Sequence, residues 1–122
     1  ICRLVEQTRV FEACVIGTPV KDTIKIADDS GFCEQTPTRS KVWAVQTPQS
    51  FTFEMVSGAY EQLIEKESNL ILNGVQITDD AMVVEHMTEK KVRLVEGDYT
   101  NIKITTPEDM VIAEAFLQNR KK

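Results

Sequence analysis

The strongest constraint on the fold is a change of hydrophobic period. Val42, Trp43, Ala44 and Val45 are four apolar residues in a row, the pattern of a strand buried on both faces of a parallel sheet. Val56, Ala59, Tyr60, Leu63 and Ile64 then recur at helical spacing, as one stripe of an amphipathic helix running from Phe53 to about Glu67. Thr52 stands where an N-cap belongs, and Phe51 with Val56 makes a hydrophobic staple. Upstream, residues 13–20 (ACVIGTPV) read as an apolar strand closed by Gly17 and Pro19. A first helix precedes it, with Ile1, Leu4, Val5 and Val10-Phe11 on one face. Elements that switch period in this way specify an α/β fold with a mainly parallel sheet.

The rest of the chain continues the pattern. Residues 68–76 are a connection or a short, partly helical piece. Thr78 caps a helix with Asp79 and Asp80 in its positive first turn, and Ala81, Val83, Val84 and Met87 face inward. Residues 92–96 and 101–105 read as strands around the turn Gly97-Asp98-Tyr99. The last helix opens on Thr106-Pro107-Glu108-Asp109, a cap, a proline at the first helical position and acids in the first turn. Met110, Ala113 and Leu117 are its inward residues, and Arg120, Lys121 and Lys122 suit its negative end. Gly58 sits inside a helix at some cost.

Residues 21–41 differ. Ile24 and Ile26 alternate with Thr23 and Lys25, Asp28-Asp29-Ser30-Gly31 makes a turn, and a second polar strand runs to about Ser40. Such a hairpin has too few apolar residues to stand alone in water. It lies on its own domain or extends as an arm onto a partner.

Composition bounds the partners. The 122 residues suit one domain, 42% hydrophobic and 27% charged. A formal net charge of −5 argues against nucleic acid or an anionic membrane as the main partner, although a phosphorylated metabolite needs only a few placed cations. No apolar run approaches the roughly 20 residues of a membrane span, and the first residues lack the pattern of a signal peptide. Cys2, Cys14 and Cys33 form no C-x-x-C pair, so neither a disulfide framework nor a zinc site is indicated and a reducing cytoplasm fits. His86, the single histidine, reads as a surface helix residue. The helix already under way at Ile1, without a cap, leads us to expect further sequence upstream.

In open α/β sheets ligands bind beyond the carboxyl ends of the strands. That rule picks out Thr47, after strand 42–45, and Lys103. Thr78 lies at a helix N-terminus, a place that favours anions, and Arg39 precedes the Trp43 strand. Each residue also has a plain reading: Thr78 as a cap, Lys103 and Arg39 as solvated charges, Thr47-Pro48 as a turn. The five glycines are scattered, so no Gly-rich phosphate loop occurs, and no nucleophile–base group is evident.

Four stretches, PVKDTIK, R-x3-W-x3-TPQ-x-F, ITDDA and VEGDYTNIKITTPEDM, occur together in this order. In these the chain resembles the C-terminal half of the 2-C-methyl-D-erythritol 4-phosphate cytidylyltransferases, over nearly all 122 residues. ITDDA favours this family over the similar ribitol-phosphate cytidylyltransferases. The resemblance implies a Rossmann-like nucleotidyltransferase fold, with helices on both faces of the sheet. Residues 1–122 would be the C-terminal part of one such domain, and residues 21–41 a protruding arm that forms a homodimer. It implies transfer of a cytidylyl group from CTP to methylerythritol phosphate, releasing pyrophosphate, in the non-mevalonate route to isoprenoids. By the resemblance Arg39 and Lys103 position the substrate phosphate for attack, and Thr47 and Thr78 contact the substrate. Thr23 is an alcohol-phosphate contact on the arm, in its own or the neighbouring subunit's site. Magnesium would enter with CTP, held mainly by an N-terminal half whose Gly-rich loop is not in this sequence. The fragment alone is therefore expected to be inactive. The other readings are a ribitol-phosphate or other polyol-phosphate cytidylyltransferase, and a non-catalytic dimerisation module.

Overall fold

The computed structural model describes residues 1–120. In chain order the elements are helix α1 (Cys2–Phe11), strands β1 (Ala13–Pro19), β2 (Ile26–Ala27) and β3 (Cys33–Gln35), a 3-10 turn (Arg39–Lys41), strand β4 (Trp43–Phe51), helices α2 (Phe53–Leu72) and α3 (Asp80–Met87), strand β5 (Arg93–Glu96) and helix α4 (Pro107–Arg120). Three strands form a sheet of order β4-β1-β5, and β2 and β3 form an antiparallel pair. The fold class is the expected one: α/β, with a sheet that contains parallel pairing.

The chain divides into two compact units. The first comprises residues 1–16 and 48–95. Its core is Ala13, Ala59, Val83, Val84 and Met87, with Phe51, Met55, Leu63, Leu70, Ile77 and Val92 packed around them. A second cluster joins Leu4, Cys14 and Val95, flanked by Ile16. Burying each large side chain of this kind contributes about 1.5–3 kcal/mol. The inward face expected for α3 is the observed one, since Ala81, Val83, Val84 and Met87 are all buried. His86 is exposed, as expected.

Other expected faces need correction. In α1 the buried residues are Leu4 and Thr8, one turn apart, whereas Ile1, Val5, Val10 and Phe11 are exposed. Thr8 is there because its hydroxyl is satisfied: it donates to the Leu4 carbonyl (2.7 Å) and hydrogen-bonds Ser50 Oγ (2.8 Å). Helix α2 runs beyond residue 67 to Leu72, and of its expected stripe only Ala59 is fully buried, with Ile64 73% exposed. Thr52 is its N-cap by position but makes no capping bond with its side chain. The cap of α3 is Asp79 rather than Thr78: its Oδ1 accepts from the Met82 N–H at 2.9 Å.

The second unit comprises residues 17–47 and 96–122, of which 121 and 122 lie outside the described residues. The expected basic end of α4 is thus met here by Arg120 alone, which sits in the last turn, and Lys121 and Lys122 are not described. Hydrogen bonds rather than a buried cluster organise this unit. The hairpin is shorter than expected, two residues paired with three, and exposed along both strands. Its turn is set by Asp28, whose Oδ1 accepts from the Ser30 and Phe32 N–H groups, both at 2.9 Å. The second strand ends at Gln35, so Arg39 falls on the 3-10 turn.

Residues 101–105 are not a strand. Side chains capture the amides at each end of this stretch. The Asp98 carboxylate takes the Thr100 N–H at 2.8 Å, and Asp109 Oδ2 takes those of Thr105 and Thr106, both at 2.9 Å. Thr106 Oγ1 accepts in return from the Asp109 N–H at 3.3 Å, a reciprocal cap that starts α4. Alternation of Ile102 and Ile104 therefore does not produce a ladder. These isoleucines line a hollow of about 270 Å³ with Ala113, Phe116 and Leu117. Helix α4 has no fully buried residue, and Met110 and Leu117 are half exposed.

Strand β4 also departs from expectation. It does not stop at Gln46 but continues through Thr47-Pro48 to Phe51, and Ala44 and Val45 are exposed. Its place at the end of the order β4-β1-β5 accounts for both facts. An outermost strand is covered less than a central one, and it tolerates a proline that donates no ladder bond. Central β1 carries the buried run instead: Ala13, Cys14, Val15, Gly17 and Thr18.

Candidate functional site

In the second unit, residues 97–101 are pinned one after another. The Gly97 N–H donates to the Gly17 carbonyl at 2.8 Å. The Asp98 carbonyl accepts from Gln46 Nε2 at 2.8 Å and from the Asn101 N–H at 3.0 Å. The Tyr99 hydroxyl donates to the Pro19 carbonyl at 2.7 Å. The Asp98 carboxylate holds both the N–H and the hydroxyl of Thr100, the latter at 2.7 Å. These bonds hold the Asp98 carboxyl below its ordinary value of 3.8, the backbone one first and the hydroxyl second. Asn101 Nδ2 donates to the Thr47 carbonyl at 2.8 Å and to Gln46 Oε1 at 3.3 Å.

Two cations connect to this loop and a third follows it in sequence. Lys21 Nζ lies 4.0 Å from the centre of the Tyr99 ring, a cation–π contact. Arg39 Nη1 donates to the Lys21 carbonyl at 3.1 Å, which joins the 3-10 turn to the residue that touches Tyr99. Lys103 is exposed and follows Asn101 by two residues. Of the residues expected in a site, Thr47 thus bonds this loop directly, Lys103 follows it by two residues, and Arg39 reaches it only through Lys21. Thr23 is exposed, between Lys21 and the start of β2, and takes no part in these bonds.

Thr78 belongs to the first unit. Its hydroxyl contacts Met82 Sδ at 2.9 Å. The neighbouring carboxylates are organised by residues that pattern reading passed over. Gln49 Nε2 donates to Asp79 Oδ2 at 3.0 Å, and Gln49 Oε1 accepts from the Ala81 N–H at 3.2 Å. The Tyr60 hydroxyl donates to Asp80 Oδ1. Its phenol is pushed up to about 12, first by that hydrogen bond, then by burial and by the charges of Asp80 and Asp79.

Lys21, Gln46, Gln49, Tyr99 and Asn101 are the residues sequence reasoning missed. The signal for two of them was the pair of amides flanking Thr47-Pro48, polar groups that a plain turn does not require. No group of three or more His, Cys, Asp or Glu side chains gathers in metal-binding geometry among the described residues. Cys14 is buried and Cys2 and Cys33 are exposed, all as free thiols. No helix among the described residues is long and apolar enough to cross a membrane.

A model of the family described as 2-C-methyl-D-erythritol 4-phosphate cytidylyltransferase matches residues 1–119. The chain is similar to proteins of that name from Desulforamulus reducens, 46% identical over 120 residues, and Caldanaerobacter subterraneus, 47% over 118. These alignments cover 98% and 97% of this chain and 48% of each relative. The chain thus spans about half the length of the curated relatives it matches. Among solved structures it is similar to 4-diphosphocytidyl-2C-methyl-D-erythritol synthase from Anaerococcus prevotii, with a TM-score of 0.84 and 36% identity over 96% of this chain and 49% of that one. It is also similar to the cytidylyltransferase from Thermus thermophilus, with a TM-score of 0.74 and 32% identity over 96% and 53% of the two chains.

Proposed function

The chain belongs to the 2-C-methyl-D-erythritol 4-phosphate cytidylyltransferase family, and from that premise we propose that it is the alcohol-phosphate-binding and dimerisation half of such an enzyme. In the proposed reaction a phosphate oxygen of methylerythritol phosphate attacks the α-phosphorus of CTP. One phosphorus–oxygen bond forms, the α–β bond breaks, and pyrophosphate leaves. Both reactants are anions. Two unit charges about 4 Å apart repel by on the order of 4 kcal/mol at an effective dielectric near 20. Arg39 and Lys103 offset that repulsion and hold the attacking oxygen in line. Thr47 and Thr78 contact the substrate, and Thr23 does so from the hairpin. No protein nucleophile is needed. Magnesium, entering with the nucleotide, would supply charge that offsets its phosphates. The cytoplasm is the proposed compartment, which suits three free cysteines.

The observation that carries the reading is the family match along residues 1–119. The bond of Thr47 to the loop that leads to Lys103, and the link of Arg39 to that loop through Lys21, support it. The test is pyrophosphate release by the whole gene product that contains this chain. Methylerythritol phosphate should be turned over in preference to ribitol phosphate. Arg39→Ala and Lys103→Ala should each lower kcat by about 100-fold or more while the protein stays dimeric. The 122 residues by themselves should release no pyrophosphate at an enzyme-like rate. Full activity in both variants would overturn the assignment and favour a non-catalytic dimerisation module.

A further inference from the structure

We propose that Gln46 and Asn101 are positioning residues: together they lock the 97–101 loop onto the middle of β4 and so fix where Lys103 presents its charge. The inference rests on the reading of Lys103 given above.

The argument begins with the bonds. Asn101 Nδ2 reaches both the Thr47 carbonyl (2.8 Å) and Gln46 Oε1 (3.3 Å). Gln46 Nε2 reaches the Asp98 carbonyl (2.8 Å), which the Asn101 N–H also uses (3.0 Å). The two amides thus close a ring in which each side chain bonds the strand or the loop and also bonds the other. Gln46 completes it with a donor and an acceptor side by side, and Asn101 with the two hydrogens of its amide nitrogen. From residue 97 to residue 101 every position is tied, and then the ties stop until Thr105. Lys103 stands in that interval. Two residues of chain reach about 7 Å at most, so the Lys103 backbone can stray no further than that from the last pinned residue. Release of the Asn101 side chain moves the nearest tie to another segment two residues back, to the Tyr99 hydroxyl on the Pro19 carbonyl.

The ring lies at the surface: Asn101 is exposed and Gln46 half-buried. Hydrogen bonds that exchange readily with water add little to global stability. A charge that must meet a developing transition state is sensitive to displacement, and misplacement by about 1 Å costs up to about 100-fold in rate. The pair should therefore matter more for turnover than for folding.

The experiment is steady-state kinetics on the whole gene product with Asn101→Ala, the near-isosteric Asn101→Asp, Gln46→Ala, Lys103→Ala and the Asn101→Ala/Lys103→Ala double variant. Each substitution at 101 or 46 should lower kcat by about tenfold to 100-fold, leaving KM for CTP and the thermal midpoint near those of the unsubstituted protein. The double variant should be little worse than Lys103→Ala alone, because the asparagine acts through the lysine. Unchanged kcat in the Asn101 and Gln46 variants while Lys103→Ala is impaired overturns this inference alone, as do losses that multiply in the double variant. A kcat loss matched by a fallen thermal midpoint assigns the pair to folding and overturns it too. Full activity of Lys103→Ala overturns the parent reading, and this inference with it.

Discussion

At the scale of single residues, the carboxylates of this chain act by collecting hydrogen bonds. Asp79 caps α3, Asp98 folds the loop before Lys103, and Asp109 starts α4. Asp79 and Asp109 were both foreseen in the first turn of a helix, because Thr-Asp-Asp and Thr-Pro-Glu-Asp are local signals. The cap at 79 rather than 78 was not legible: a threonine and an aspartate are both good caps, and the tertiary bond from Gln49 decides between them. Tyr60 offers a direct test. Its usual value is 10.0, and the fold raises it to about 12. A raised value means that the folded protein favours the protonated phenol more than the unfolded chain does. The stabilisation is therefore complete below pH 10 and is lost as pH rises from there toward about 12. In alkaline denaturation the native protein should lose stability across that window and Tyr60→Phe should not. Tyrosinate absorbance should show one late-ionising residue, and two tyrosines ionising together near their ordinary value would count against the Tyr60–Asp80 bond.

At the scale of elements, period identified helices and strands but not how well each is covered. Helix α3 matched because its apolar residues meet α2 and β1 within one core. Helix α4 did not, because its unit offers it only the isoleucines of 101–105 across an unfilled hollow. Strand β4 carried the most apolar run and is half exposed, since coverage depends on a strand's place in the sheet. Two glycines separate these effects. At Gly17 an added Cβ would come within 2.9 Å of the Ala44 carbonyl oxygen, where backbone meets backbone. Gly17→Ala should therefore destabilise by about 1–3 kcal/mol. At Gly58 nothing lies within 4 Å of the added atom, and an alanine inside a helix is favoured over glycine. Gly58→Ala should stabilise by about 0.5–1 kcal/mol. Chemical denaturation of the two variants checks both signs, and equal effects would refute the contrast.

At the scale of the whole molecule, family membership was legible because its motifs are short strings of neighbouring residues that keep their order along the chain whatever the coverage around them. The contacts between those segments were not legible, since Gln46 to Asp98 and Asn101 to Thr47 join residues 52 and 54 positions apart. The hairpin carries the proposal about assembly. Ile26 is 45% and Phe32 72% exposed on it, apolar surface that a second copy would cover. Ile26→Asp with Phe32→Asp should shift the protein toward monomer in sedimentation equilibrium, and an unshifted dimer would move the interface elsewhere.

Pro48 gives β4 a further property. A sheet lengthens sideways by adding rungs, and each rung asks the outermost strand for a free N–H and a free carbonyl. At Pro48 there is no N–H to give, and at Thr47 the carbonyl already holds the Asn101 amide. These two groups belong to one peptide unit and, in an extended strand, face opposite edges. At this peptide unit β4 therefore has no hydrogen to lend on one side and no unclaimed oxygen on the other, and a ladder along the strand passes it by.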